Sequence, residues 1–369
     1  MHLPEPMLTP LDDYPVHQTS RPLAMPASGD PNHYDRFFFN GSDTAGSLFF
    51  ALALGVYPNR DVIDASFSVV RGDEQVNVHA SGRCPLDRMH PEVGPIRVEI
   101  LEPMVSQRIV VEAPEQGLQA SLVFTARTPP LQEPHFFAQR GTRMAWDYTR
   151  LTQFGAWEGW LSVDGERFEV SPAEVVGCRD RSWGVRSVGA PLPGPAREPQ
   201  FYWLWAPVSF EDVCTHMDVC EDAAGGRWHE AGFVVPVGSS GPPSPAVSMD
   251  YRIEWRPGTR RAAWAEIDLA VDGGADLVTV RLEPIIEFQM TGLGYINADW
   301  NHGAWKGELA VGGSRWALPV EDPLAFHHLH IQALCRATMG DKLGIGVLEQ
   351  LVFGPHSPSR FTQLNDGAP

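Results

Sequence analysis

The stretch GCRDRSWGVR (177–186) sets one carboxylic acid, Asp180, between Arg179 and Arg181, and follows it with Trp183, Gly184 and Arg186. Two uses of such a group are open. One is an ion-pair and capping motif that holds a strand end. The other is a proton donor or acceptor beside an aromatic wall, because burial raises a carboxyl pKa while a nearby guanidinium lowers it. In a strand, Asp180 and Ser182 share one face and Arg179, Arg181 and Trp183 share the other, so Arg186 or a distant residue is what could reach Asp180. Gly184 permits a turn or a close backbone approach.

Two more segments supply candidates. In FYWLWAP (201–207), Phe201, Trp203 and Trp205 lie on one strand face, with Tyr202 and Leu204 on the other. Aromatics on both faces predict burial on both sides, as in a core strand. One face could still line a cavity for an apolar ligand or stabilise a developing cation. In GLGYINADWNHGAWKGEL (292–309), Tyr295 and His302 are the residue types that move protons, and Trp305 adds wall. Asn297 and Asp299 of that segment read as turn residues. HHLH (327–330) would put His328 and His330 on one strand face, but no third ligand accompanies them, and core or solvent-facing histidines are favoured over a metal site. The sequence contains no Walker loop, GxGxxG, GxSxG or HExxH pattern. No cofactor and no metal are expected.

The elements that must position these residues read as strands. Gly (35) and Pro (33) each punctuate the chain about every ten residues, which suits short strands joined by turns. Apolar residues alternate in AEIDLAVDGG and in LVTVRLEPIIEF, and GWLSVDGERFEV places a DG turn between two alternating runs. DPLAFHHLHIQALCRATMG (322–340) fits either a strand or a helix, and DRFFFNG (35–41) reads as entry to the first strand. GAWEGWLSVDGERF (155–168) matches GAWKGELAVGGSRW (303–316) in order and without gaps, at an offset that suits a duplicated domain better than a solenoid. GAPLPGPAREP (189–199) reads as the linker. An N-terminal β domain over 1–190 and a C-terminal one over 200–369 follow. All-β halves of this size close into barrels or sandwiches, with a ligand pocket in a barrel mouth or in the groove between two barrels.

Composition bounds the function. With 369 residues, 43% hydrophobic and 20% charged, the chain has the profile of a globular protein. A net charge of −18 argues against a nucleic-acid partner. The longest apolar run, LFFALALGV, is too short to span a bilayer. Five scattered cysteines read as reduced thiols, and the first residues lack the pattern of a secretory signal; both point to a cytoplasmic protein. Nothing in the sequence fixes an oligomeric state.

GCRDRSWGVR, FYWLWAP, GLGYINADWNHGAWKGEL and GIGVLEQLVFGPHSP (344–358), with GVYPNRDVIDASFSVVRG (55–72), together resemble the bacterial relatives of carotenoid 1,2-hydratase. The resemblance spans about Asp35 to Pro358. It implies two tandem lipocalin-like antiparallel β-barrels, in a superfamily that holds hydratases of isoprenoid double bonds and cyclases of the Diels–Alderase type. It also implies that Asp180, with Gly184, matches the Asp-x-x-x-Gly proton donor of the hydratases; Arg181-Ser182-Trp183 departs from their usual neighbours. The expectation is a cofactor-independent hydro-lyase acting on an apolar isoprenoid-like or polycyclic small molecule. Its catalytic residues would be Asp180, His302 and Tyr295, and Arg179, Trp183, Tyr202, Trp203, Trp205 and Trp305 would bind the substrate. A carrier of a hydrophobic ligand and a shape-driven pericyclic cyclase are the alternatives.

Overall fold

The computed structural model describes residues 8–188, 199–240, 243, 245–271 and 276–369. The linker expected at 189–199 lies almost wholly outside the described residues, as do the tip of the 238–245 loop and the DGG turn after AEIDLAV. The chain is all-β. It opens with four long strands, β1 (His33–Asp43), β2 (Leu48–Tyr57), β3 (Val62–Arg71) and β4 (Glu74–Arg83). The short β5 (Glu92–Val93) precedes β6 (Ile96–Glu102), β7 (Ser106–Ala113) and β8 (Leu118–Ala126). Then come β9 (Leu131–Gln132), β10 (Phe136–Arg140), the long β11 (Arg143–Val163), β12 (Glu166–Val170) and β13 (Val175–Arg186). The second half contains β14 (Phe201–Ser209), β15 (Val213–Glu221), β16 (Arg227–Pro236), β17 (Ser248–Trp255), β18 (Ala262–Val271) and β19 (Asp276–Gln289). It ends with β20 (Leu309–Ala317), β21 (His330–Met339) and β22 (Lys342–Phe353).

Two nearly closed antiparallel barrels result, as expected for tandem lipocalin-like domains. The first follows the path β3-β2-β1-β13-β11-β8-β7-β6, and the second β16-β15-β14-β22-β21-β19-β18-β17. These are the same topology written twice. The sequence match at 155–168 and 303–316 is not what carries the duplication. Gly155–Val163 lies in β11, whose counterpart is β21, whereas residues 309–317 form β20. That strand leaves the second half and pairs with β4 of the first sheet, from Leu309 opposite Gly82 to Ala317 opposite Glu74. The DG turn forms as expected: Asp164 and Gly165 both take positive φ between β11 and β12, the two-residue hairpin geometry. The segment open to both readings supplies a strand, β21, preceded by a single 3₁₀ turn at Phe326–His328.

Alternation explains how the barrels meet. On the first sheet, Phe39, Leu52, Leu54, Phe67, Val78 and Trp157 point inward and fill the barrel. In the second, Tyr202, Leu204, Val219, Leu269, Leu282 and Leu348 do the same. The outward faces of β1, β2, β11 and β13 and of β14–β16, β19, β21 and β22 then pack on each other through a third apolar cluster. Phe38 meets Trp205 edge to face at 6.1 Å, and Phe49 meets Phe288 at 5.0 Å. A buried 3₁₀ turn, Met290–Leu293, and the segment after it cover β3 and β4: Ser68 Oγ donates to the Gly292 carbonyl at 3.0 Å. Among the described residues no helix is long and apolar enough to cross a membrane.

Candidate active site between the barrels

Both barrel interiors are largely filled with side chains, and a cluster of polar and charged groups sits where the barrels face each other. Strand register sets it out in rows. Arg36 on β1 lies opposite Gly55 on β2 and Ser182 on β13; Gly55 in turn faces Asp64 on β3, and Ser182 faces Arg150 on β11. In the next row Phe38 pairs with Asp180, and Asp180 with Thr152. Paired residues in a sheet project to the same side, so Arg36, Asp64, Arg150 and Asp180 share the inter-barrel face.

Asp180 is half-buried, and among the described residues its carboxyl makes no hydrogen bond or ion pair. Burial pushes its pKa up to about 6, against the pull of Arg150, Arg36 and Arg186 and with a further push from Glu133. Asp64 behaves alike. Burial raises it to about 7 although the Gly303 amide donates to it at 2.6 Å and the Tyr57 hydroxyl at 3.2 Å. Gly55 makes that second contact possible, because the Tyr57 phenol occupies the space a side chain there would need. Arg36 stands near both acids and is held by His302. His302 Nε2–H donates to the Leu293 carbonyl at 2.7 Å, which leaves Nδ1 to accept from Arg36 Nη1 at 3.1 Å. Burial, then Arg36 and Arg186, hold His302 well below the usual imidazole range, so it is neutral.

Tyr295 is the hub of the aromatic wall. His302 and His330 each meet its ring edge-on at 4.5 Å, and the Arg36 guanidinium lies 4.5 Å from its centroid. Arg186 sits 4.7 Å from the Tyr34 ring and 6.0 Å from Tyr295. Gly184 serves this wall. Its φ of +135° and lack of a side chain let Tyr34 and Tyr148 meet across it at 6.1 Å; a Cβ would run into the Asp147 carbonyl and Tyr148. Beyond Asp180, Arg150 bridges the barrels, pairing with Glu133 Oε2 at 2.5 Å and with Asp218 of β15.

The structure thus brings Asp180, Tyr295, His302, Trp203 and Trp205 to one interface. Trp205 is buried there, and Trp203 Nε1–H donates to Asp218 Oδ1 at 2.7 Å. The other candidates lie elsewhere. Tyr202 is inside the second barrel, stacked on His356 at 3.9 Å. Trp183 and Trp305 are on the outer surface, 41% and 49% exposed. Arg179 is buried on the opposite face of β13, where its Nε donates to Gln153 at 2.9 Å. His328 ends a 3₁₀ turn while His330 begins β21, where it bonds Glu349 at 2.5 Å. Sequence reasoning missed Asp64, Arg36, Arg150, Glu133 and Asp218. The available signal was strand alternation in IDASFSVV, which separates Asp64, Ser66 and Ser68 from the apolar Ile63, Ala65 and Phe67. Such a stripe ordinarily faces water; here it is covered.

Two pockets touch this interface, each with room for about one water molecule. One lies between the barrels against Asn40, Phe154 and Cys178; the other lies beneath the 300–306 segment against Asp64, Ser81 and His302. Glu133, Asp218 and His229 bring ligand-type atoms within 4.8 Å of one another. They do not fit a cation, because Arg150, Trp203, Thr152 and His229 already engage all four carboxylate oxygens and the guanidinium supplies the positive charge.

Two nearly closed antiparallel barrels, consistent with tandem lipocalin-like domains, define the structural class. Within it, the chain belongs to the family described as "Family of unknown function (DUF8625)", whose model matches residues 8–362. No curated protein matches the sequence. Solved structures share the fold. A candidate AttH protein (NE1406) of Nitrosomonas europaea aligns with a TM-score of 0.56 at 12% identity, over 91% of this chain and 98% of that one. Kievitone hydratase of Nectria haematococca aligns with 0.53 at 11% identity, over 86% and 88%. CghA with Sch210972 aligns with 0.50 at 12% identity, over 87% and 89%.

Proposed function

We propose that the protein is a cofactor-independent hydratase, or dehydratase, of a largely apolar small molecule, with Asp180 as its proton donor. One observation carries the reading: a carboxyl raised to about 6, free of protein partners, at the junction of two barrels. Such a group is protonated often enough near neutral pH to give its proton to a substrate carbon or a leaving hydroxyl. In hydration the C–H bond forms with the alkene π pair and Asp180 is left as carboxylate. Water then forms the C–O bond and its surplus proton returns to Asp180. His302, neutral and engaged at both nitrogens, is a positioning residue for Arg36, and Tyr295 and Trp203 supply aromatic faces at the same interface. The fold shared with a kievitone hydratase and the resemblance to carotenoid 1,2-hydratases support the reaction class. The five unpaired cysteines support a reducing, cytoplasmic setting.

The test starts from mass spectrometry of ligand retained by the purified protein, followed by turnover of that compound. Asp180→Asn should lose about 10²-fold or more in rate without any loss of melting temperature. Full activity of this variant would remove Asp180 from the chemistry. A cyclase that works by shape alone, the second reading, is favoured by the common fold with CghA, solved with Sch210972. It predicts a flat pH–rate profile, whereas protonation by Asp180 predicts a rate that falls as pH rises through about 6.

A further inference from the structure

We propose that this site holds its substrate by an anionic oxygen, a carboxylate, enolate or phenolate on an otherwise apolar molecule, cradled by Arg36 and Arg186. The inference rests on the inter-barrel location of the site argued above. Arg36 is 1% exposed, its terminal nitrogens face His302, and its Nε is buried without a partner. Among the described residues no carboxylate lies within 4.0 Å of Arg36 or of Arg186. Arg150, Arg260 and Arg261, about as buried as Arg36, each have one: Glu133 and Asp218, Asp366, and Glu287. Arg179 lacks one too, but its Nε is satisfied by the Gln153 amide oxygen. Arg186 is flanked by aromatic rings rather than acceptors, and the two guanidiniums converge on the single ring of Tyr295.

A desolvated guanidinium without an anion is costly, and its planar fork is shaped for a carboxylate-like group. The buried Arg36 and the partly exposed Arg186 stand beside one wall; Asp64 and Asp180 act on both from farther off, but no carboxylate is in ion-pair contact with either, which leaves a place for a negative charge from outside. A bare polyene hydrocarbon offers nothing to this pair, whereas an anionic oxygen on the substrate would offset its charge. The net charge of −18 repels anions at long range, so any preference for an anion must arise locally at the cradle.

Calorimetric titration with 4-phenylbutyrate and its neutral isostere 4-phenylbutyramide tests this without any turnover. The carboxylate should bind the wild type at least about tenfold more tightly than the amide. That preference should shrink to less than about twofold in Arg186→Gln and persist in Arg71→Gln, a remote surface control. Equal affinities in the wild type overturn the proposal, as does a preference that survives Arg186→Gln or a carboxylate that fails to bind at about 10 mM. Asp180→Asn separates the two claims: it should keep the carboxylate preference even though turnover is lost.

Discussion

Asp180 and Asp64 ionise late because the loss of hydration on folding outweighs the pull of the neighbouring arginines. The consequence for stability has a definite sign. Each carboxyl is still protonated in the folded chain at pH values where the unfolded chain has released its proton. Their contribution is therefore fully present below about pH 4 and is lost as pH rises to about 6 for Asp180 and about 7 for Asp64. Asp64→Asn keeps an oxygen for the Gly303 amide but cannot ionise. Its stability advantage over the wild type should grow between about pH 4 and pH 7 and level off above. It should reach a few kcal/mol, since each tenfold change in proton affinity is worth about 1.4 kcal/mol. Urea unfolding across that range measures it; a constant difference would mean that Asp64 titrates normally. Asp180 was legible in the sequence because it stands among arginines next to a tryptophan and a glycine. Asp64 was not, because an acid alternating with serines along a strand looks like any solvent-facing stripe.

At the scale of elements, β13 does the positioning. It lies between β1 and β11 and presents Asp180 and Ser182 to the interface while turning Arg179, Arg181 and Trp183 away. That division followed from strand alternation, and so did the split of Trp203 and Trp205 from Tyr202 on β14. Which of the two faces would hold the site did not follow, because alternation says nothing about what covers a face. Trp183 and Trp305 were expected in the wall and stand on the outer surface for that reason. Gly184 is the weak point of β13. Gly184→Ala would force a side chain into a backbone with φ of +135° and against Asp147 and Tyr148. It should cost about 1–3 kcal/mol from the backbone alone, read as a lowered denaturation midpoint; an unchanged midpoint would show that the strand yields there. The excursion of β20 onto β4 could not be read from local sequence, since alternating residues pair equally well with either barrel's edge.

For the whole molecule, the two barrels share more than a covalent link. Their apolar outer faces form one cluster, β20 crosses from one half to the other, and Arg150 of the first barrel is clamped between Glu133 and Asp218. The halves should therefore unfold together. Scanning calorimetry should give one transition, and Arg150→Met, which strands two buried carboxylates, should lower stability by about 3–5 kcal/mol. Two separate transitions in the wild type would contradict the shared interface. The duplicated all-β architecture was visible in the spacing of glycine and proline and in the resemblance to tandem-barrel proteins. The candidate site between the barrels stands out only once both interiors are seen to be largely full.

The functional reading depends on Asp180 carrying a proton near neutral pH. Carbon-13 NMR of protein labelled at the aspartate carboxyl, with Asp180→Asn identifying the resonance, measures this directly. A midpoint of about 6 is expected for Asp180. A midpoint at or below the ordinary value of 3.8 would mean a carboxylate permanently neutralised by Arg150, Arg36 and Arg186, and no acid at this site.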